Sequence, residues 1–141
     1  MTYSRRDLSL LLGALAASGA AAEDTTLPSK TYKFQDLPVK KNSANVSRAV
    51  FSGKTHAGYH VDIHLTELGP GERPHPPHHH VHEEMIMIHE GTMEVTISGR
   101  TTTIGPGSVA YVASNEEHGW RNVGGTHALY FVLALGRDTP A

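Results

Sequence analysis

Cysteine is absent from this 141-residue chain, and that one absence removes disulfides, thiolate nucleophiles and Cys-ligated zinc together. Any metal must be held by nitrogen and oxygen. Basic residues, 12 against 14 acidic, give a net charge of −2 and form no run beyond Lys40-Lys41 after the N-terminus. Nucleic acid and anionic membrane are excluded as partners on that balance. Long apolar runs are also missing: Leu8 to Ala22 is too short and too rich in alanine to favour a spanning helix. Aromatic residues make up only 6% of the chain. What the chain does have is 14 glycines, 8 prolines and 38% apolar residues, enough for a core built from short strands and tight turns. Its length suits one domain.

The segment SRRDLSLLLGALAASGAAAED, residues 4–24, places Arg5-Arg6 before a Leu/Ala/Gly run and ends in Ala20-Ala21-Ala22. It resembles a twin-arginine export signal, with Leu8 at a position where such signals carry Phe or Leu and cleavage after Ala22. That resemblance implies a bacterial protein, periplasmic or secreted, that folds and takes up its cofactor in the cytoplasm. Folding first would suit Mn²⁺ or Fe²⁺, which sit at the weak end of the divalent series and lose to Cu²⁺ or Zn²⁺ in open competition. No stable membrane span remains after cleavage.

Residues 23–45 are polar and interrupted by proline, and read as an N-terminal arm with a short strand at Tyr32–Phe34. The regular pattern occupies residues 46–135, with a tail at 136–141. Val46–Phe51 is one expected strand. Tyr59–Leu68 is another, with Val61, Ile63 and Leu65 on one face and His60, Asp62, His64 and Thr66 on the other. Further strands are expected at Met85–His89, Met93–Ile97, Thr101–Ile104, Val109–Val112, Gly119–Val123 and Ala128–Leu135, with SGR and GPG as turns. No amphipathic helix and no internal repeat appear after residue 23. The pattern predicts an all-β domain, a small antiparallel barrel or jelly roll.

The stretch HPPHHHVHEEM, residues 75–85, holds five histidines and two glutamates. Residues two apart on an extended chain share a face and rise by about 6.6 Å together. His78 and His80 can therefore aim at one point, and Glu84 has the same parity. A ligand nitrogen must come within about 2.1 Å of an ion of zinc size. A fourth donor has to come from elsewhere, and His118 follows the turn after Val109–Val112. A solvated metal-scavenging tract would explain neither Glu84 and Gly91 nor the distant His118. A His-Glu-x-x-His protease motif is excluded, because Ile86 stands where the second histidine belongs.

At these residues the chain resembles the cupin superfamily, in particular its small single-domain metal-binding members. The first motif of that family is His-x-His, a few residues, Glu, six residues and Gly; here it reads His78-x-His80, Glu84 and Gly91, with Gly71 as a displaced leading glycine. The second runs from Gly107 through Ala113, Ser114, Asn115 and His118 to Asn122, with Ala113 and Asn115 in place of the usual proline and glycine. Asn115 tolerates the left-handed backbone such a turn needs. The resemblance implies a double-stranded β-helix with His78, His80, Glu84 and His118 as metal ligands and Glu84 as the residue placed for catalysis. It implies one divalent metal per chain, Mn or Fe favoured over Zn, Ni, Cu or Co, with two open positions for a ligand. It also implies a homodimer formed through the sheets, with residues 31–39 crossing over.

The remaining residues are expected in lesser roles. His60 and His64 belong to a solvent face, His82 to the rim, and His75 to a loop; His79 and Glu83 point away. Met85 and Met87 fill the core, Trp120 either walls the pocket or packs, and Glu116 and Glu117 lie in a solvated loop. The functional expectation is an exported metal-dependent enzyme acting on a small oxygen-rich molecule, a dioxygenase first, then an isomerase or lyase. The alternative is a cupin that binds metal or a metabolite without turnover.

Overall fold

Period-two alternation accounts for most of the architecture. The structure, a computed structural model, describes residues 26–43 and 45–137. The expected export signal lies outside them. Nine strands carry the fold: β1 (Val39–Lys41), β2 (Asn45–Lys54), β3 (His60–Leu68), β4 (Glu83–Glu90), β5 (Met93–Ile97), β6 (Arg100–Ile104), β7 (Val109–Val112), β8 (His118–Asn122) and β9 (Ala128–Gly136). All strand pairings are antiparallel. A six-stranded sheet ordered β1-β2-β3-β9-β4-β7 packs on a three-stranded sheet ordered β6-β5-β8. This is the expected all-β double-stranded β-helix. No described helix is long and apolar enough to cross a membrane.

Inward-facing alternate residues make the core at one end of the barrel. Leu68, Ile86, Ile88, Met93, Val95, Trp120, Ala128, Tyr130 and Val132 form one buried cluster. Each large apolar side chain there contributes about 1.5–3 kcal/mol. The Trp120 Nε1–H donates to the Tyr130 hydroxyl at 3.0 Å, which satisfies the polar edges of the two rings without water.

The outer face of the larger sheet is apolar as well. Register aligns Ile63, Leu133, Met85 and Tyr111 in one row and Leu65, Phe131, Met87 and Val109 in the next. Met85 and Met87 therefore lie half-buried on this outer face and do not fill the interior as expected. The N-terminal arm covers one side of it. Leu27 packs against Gly53, the Tyr32 ring lies 5.2 Å from that of Phe51, and the Arg48 guanidinium sits 4.6 Å over Phe34. The strand expected at Tyr32–Phe34 does not form; a 3-10 turn occupies Phe34–Asp36. β1 pairs only with Val46–Arg48 of β2, and residues 32–34 lie over Phe51 and Arg48 through side chains without joining the sheet.

Gly91 is required where β4 turns into β5. Its φ is +88°, and a Cβ there would stand 2.6 Å from the Ala128 Cα. Gly91→Ala should destabilise the fold by roughly 3 kcal/mol or more, because strained backbone and steric overlap add. Gly99→Ala, with φ +77° but open space around it, should cost only about 1–2 kcal/mol. Urea midpoints of the two variants check this; equal losses would mean that the contact with Ala128 relaxes freely.

Candidate metal centre

Glu84 opens the inward row of β4. It is 6% exposed and paired in register with Ala134 of β9 and Val112 of β7. A carboxylate this deep demands a compensating partner. Its ion-pair partners are histidines: Oε2 lies 2.8 Å from Nε2 of His80, 3.7 Å from that of His82 and 3.9 Å from that of His118.

Backbone bonds bring the two histidine segments together. The His78 N–H donates to the His118 carbonyl at 3.0 Å, and the His118 N–H returns to the His78 carbonyl at 2.9 Å. The Asn115 N–H adds a bond to the His80 carbonyl at 2.8 Å. Asn115 has φ +62°, so it occupies the left-handed turn position that the sequence assigns to it. Asn122, fully buried, ties down the far end of β8: its Nδ2 donates to the carbonyls of Leu68 and Thr126, and its Oδ1 accepts from the Gly124 N–H. Its backbone holds Gly71 and Glu72 at the start of the loop that carries the histidines.

Ring orientation follows from the hydrogen bonds. His80 Nδ1–H donates to the His82 carbonyl and His118 Nδ1–H to the Glu116 carbonyl, both at 2.8 Å. Each ring thereby turns Nε2 inward, the atom that would ligate a metal. His118 Nε2 and His78 Nδ1 are buried with no hydrogen-bond partner. An unsatisfied buried polar atom costs about 1–3 kcal/mol, and a cation would supply the missing partner here. One donor atom from each of His78, His80, Glu84 and His118 falls within 4.8 Å of the others. Two ligand atoms at right angles around such an ion stand about 3.0 Å apart, close to the His80–Glu84 separation. Burial holds the His78 imidazole below its ordinary range, which favours the neutral, ligating form. The four residues fit a divalent metal.

Other residues crowd these donors. The His82 ring lies flat on His80, with centroids 3.6 Å apart and planes at 9°, and burial pushes its pKa down. It belongs to the wall and not to the outer rim where it was expected. His75 meets His78 edge-on at 4.2 Å, which puts this loop residue against the cluster too. Trp120 both packs in the core and stacks beside His118 at 5.7 Å. His79 is exposed, as expected, and Glu83 turns outward to Tyr111, whose hydroxyl it holds above its ordinary pKa. Glu116 points its carboxylate away, to the Ser98 hydroxyl at 3.1 Å.

A cavity of about 390 Å³ opens onto the cluster, with His78, His80, His82 and Glu84 on one side. Ser47, Asp62, His64 and Thr66 form the opposite wall. The expectation that His64 faces solvent is therefore corrected, since the polar row of β3 is the inner one over this half of the barrel. Alternation shows which residues of β3 share a face but not which of the two faces looks inward. His60 lies at the strand end, 3.2 Å from Ser52 Oγ, outside the cavity lining. A wider cleft of about 500 Å³ between β6 and β7 is lined by residues such as Ile97, Ile104 and Val109 and holds none of the four donors.

Fold and donor set together define a small β-barrel with a three-histidine, one-carboxylate centre. The chain belongs to the cupin family: the model of the Cupin domain matches residues 64–134. Among solved structures it is similar to KdgF from a Halomonas species, with TM-score 0.65 at 15% identity over 79% of this chain and 97% of that one. The polyketide cyclase RemF from Streptomyces resistomycificus gives TM-score 0.63 at 21% identity, over 81% of this chain and 88% of that one. A predicted oxalate decarboxylase from Thermotoga maritima gives 0.63 at 17%, over 76% and 99%. No curated protein matches the chain. These likenesses establish the fold and leave the reaction open.

Protein freed of metal and reloaded should retain one equivalent of Mn²⁺ per chain after gel filtration, and its melting temperature should rise with free Mn²⁺. His118→Ala should lose both effects, while His79→Ala should keep them. Equal retention in the two variants, read by elemental analysis, would assign uptake to the exposed tract and not to the buried centre.

Proposed function

We propose that this chain is an exported metal-dependent cupin that acts on a small oxygen-rich organic molecule. The observation that carries the reading is the inward set of His78, His80, Glu84 and His118, two of whose nitrogens are buried without partners, beside a polar-walled cavity. A divalent ion held there, Mn or Fe favoured, would supply Lewis-acid and redox chemistry at its open positions. The protein's part is positional. His82 and Trp120 brace the ligand rings, and the buried Glu84 carboxylate is the group best placed to take up a proton at the cluster. With no thiol in the chain, chemistry centred on the ion is favoured over covalent catalysis, and a dioxygenase is the first reaction to test.

Dioxygen uptake and product formation by Mn²⁺- and Fe²⁺-loaded protein, across dicarbonyls, catechols and hydroxy acids, should identify a converted class. If fully loaded protein binds members of the panel and converts none, the alternative of a metal- or metabolite-binding cupin replaces the enzyme reading.

Export rests on Arg5-Arg6 and the Ala20-Ala21-Ala22 end of the leading segment. Native protein should be recovered outside the cytoplasm with an N-terminus near residue 23, and Arg5→Lys/Arg6→Lys should hold it inside; unchanged export of the double variant would reject the twin-arginine route. The apolar outer rows, ending in Val109 at 59% and Tyr111 at 51% exposure, are the surface through which two copies would pair. The same preparation should sediment as a dimer, and a monomer would remove that assignment.

A further inference from the structure

The wall opposite the metal cluster carries an oriented imidazole. His64 Nδ1 lies 3.2 Å from Asp62 Oδ1, two residues along β3 on the same inward face. The Nδ1–H donates to the aspartate, which leaves the lone pair on Nε2. Among the described residues that side of the ring makes no hydrogen bond. Asp62 is itself fixed: the hydrogen bond with His64, followed by the bond from Ser52 and the charge of His60, keeps its carboxyl below the usual range despite partial burial. A carboxylate that stays ionised holds the histidine in one tautomer.

Register places this pair relative to the metal donors. Asp62 and Glu84 both pair with Ala134 of β9, from opposite sides, so they stand in one row, two strand spacings or about 10 Å apart at the backbone. Between them projects only the methyl group of Ala134. The next inward residue of β9, Val132, likewise separates His64 from Ile86. The gap is therefore floored by small side chains and ended by hydrogen-bonding groups, with Ser47 and Thr66 beside the imidazole.

Charge narrows what can fill it. Among the described residues no lysine or arginine lines the cavity. A divalent ion with Glu84 and Asp62 sums to about neutral, so a second strong anion on the ligand would find no partner there.

We propose that His64, positioned by Asp62, is a second anchoring point for the ligand, and that the ligand is a polyhydroxylated acid of low charge whose carboxylate end meets the metal and whose hydroxyls reach the β3 wall. This rests on the metal reading above and extends it to the ligand class. It also separates the site from one made for phosphorylated sugars, which need fixed cations.

Three probes share one chelating end, a carboxylate with a 2-hydroxyl: glycolate has nothing further, D-gluconate adds a hydroxylated tail, and 6-phosphogluconate adds a phosphate to that tail. In calorimetry with Mn²⁺-loaded protein, gluconate should bind about tenfold more tightly than glycolate and about tenfold more tightly than 6-phosphogluconate. His64→Ala should erase the preference for gluconate while leaving glycolate affinity and Mn²⁺ stoichiometry unchanged. Nitrogen-15 histidine NMR should show neutral His64 protonated on Nδ1, a bias lost in Asp62→Asn. Equal binding of glycolate and gluconate, a gluconate preference that survives His64→Ala, or 6-phosphogluconate as the tightest probe would each overturn the proposal with the metal reading intact. Failure to load one Mn²⁺, or glycolate binding that does not depend on it, would overturn the metal reading first and this inference with it.

Discussion

Two reciprocal backbone hydrogen bonds between His78 and His118 hold the centre together. They tie a loop that enters β4 to the first residue of β8, segments some forty positions apart in the chain and belonging to different sheets. A paired exchange of this kind sets the two residues at a defined separation and side-chain direction. The tie from Asn115 to His80 and the buried Asn122 at the other end of β8 leave that strand little room to shift. Because ligand atoms must meet within a few tenths of an ångström, a site built from loops requires such clamps.

The barrel divides its interior lengthwise. Along β4 the inward row runs from Glu84 through Ile86 to Ile88, and along β3 from Asp62 through His64 and Thr66 to Leu68, so both strands pass from polar to apolar in the same direction. Trp120 and Tyr130 stand at the boundary. Their mutual hydrogen bond lets the rings close the core below while Trp120 braces His118 above. Burial drives the Tyr130 phenol up to about 12, so this floor stays neutral and adds no charge to the centre. Stability and chemistry occupy opposite ends of the same strands.

Much of this was legible in the chain. Period-two alternation located the strands from β3 to β9 within a residue or two, and the spacing of His78, His80, Glu84, Gly91 and His118 singled out the donors now found together. Asn115 could be read as a left-handed turn because of its side-chain chemistry. Two of the misreadings share a cause. Alternation tells which residues share a face but not which face looks inward, and a sheet apolar on both sides removes the usual cue. For that reason the sequence predicts His64 on a solvent face and Met85 and Met87 in the core. The sequence places His82 at the rim and His75 in a loop, but ring contacts with His80 and His78 leave no trace in spacing. The arm formed a 3-10 turn in place of a strand because β-structure needs a partner edge, which a local sequence cannot supply.

The sequence by itself determined composition-level chemistry and local geometry: an all-β chain, a nitrogen and oxygen donor set without thiols, and glycine at position 91, where the backbone must turn left-handed beside Ala128. Those properties depend on residue identity and on bonds between near neighbours. Tertiary structure alone decided how closely those donors approach, which row of β3 faces them, and that an aspartate–histidine pair stands across a gap floored by Ala134. These are relations between segments distant in the chain, set by sheet register and barrel closure, and a register slip of one residue would reverse every one of them.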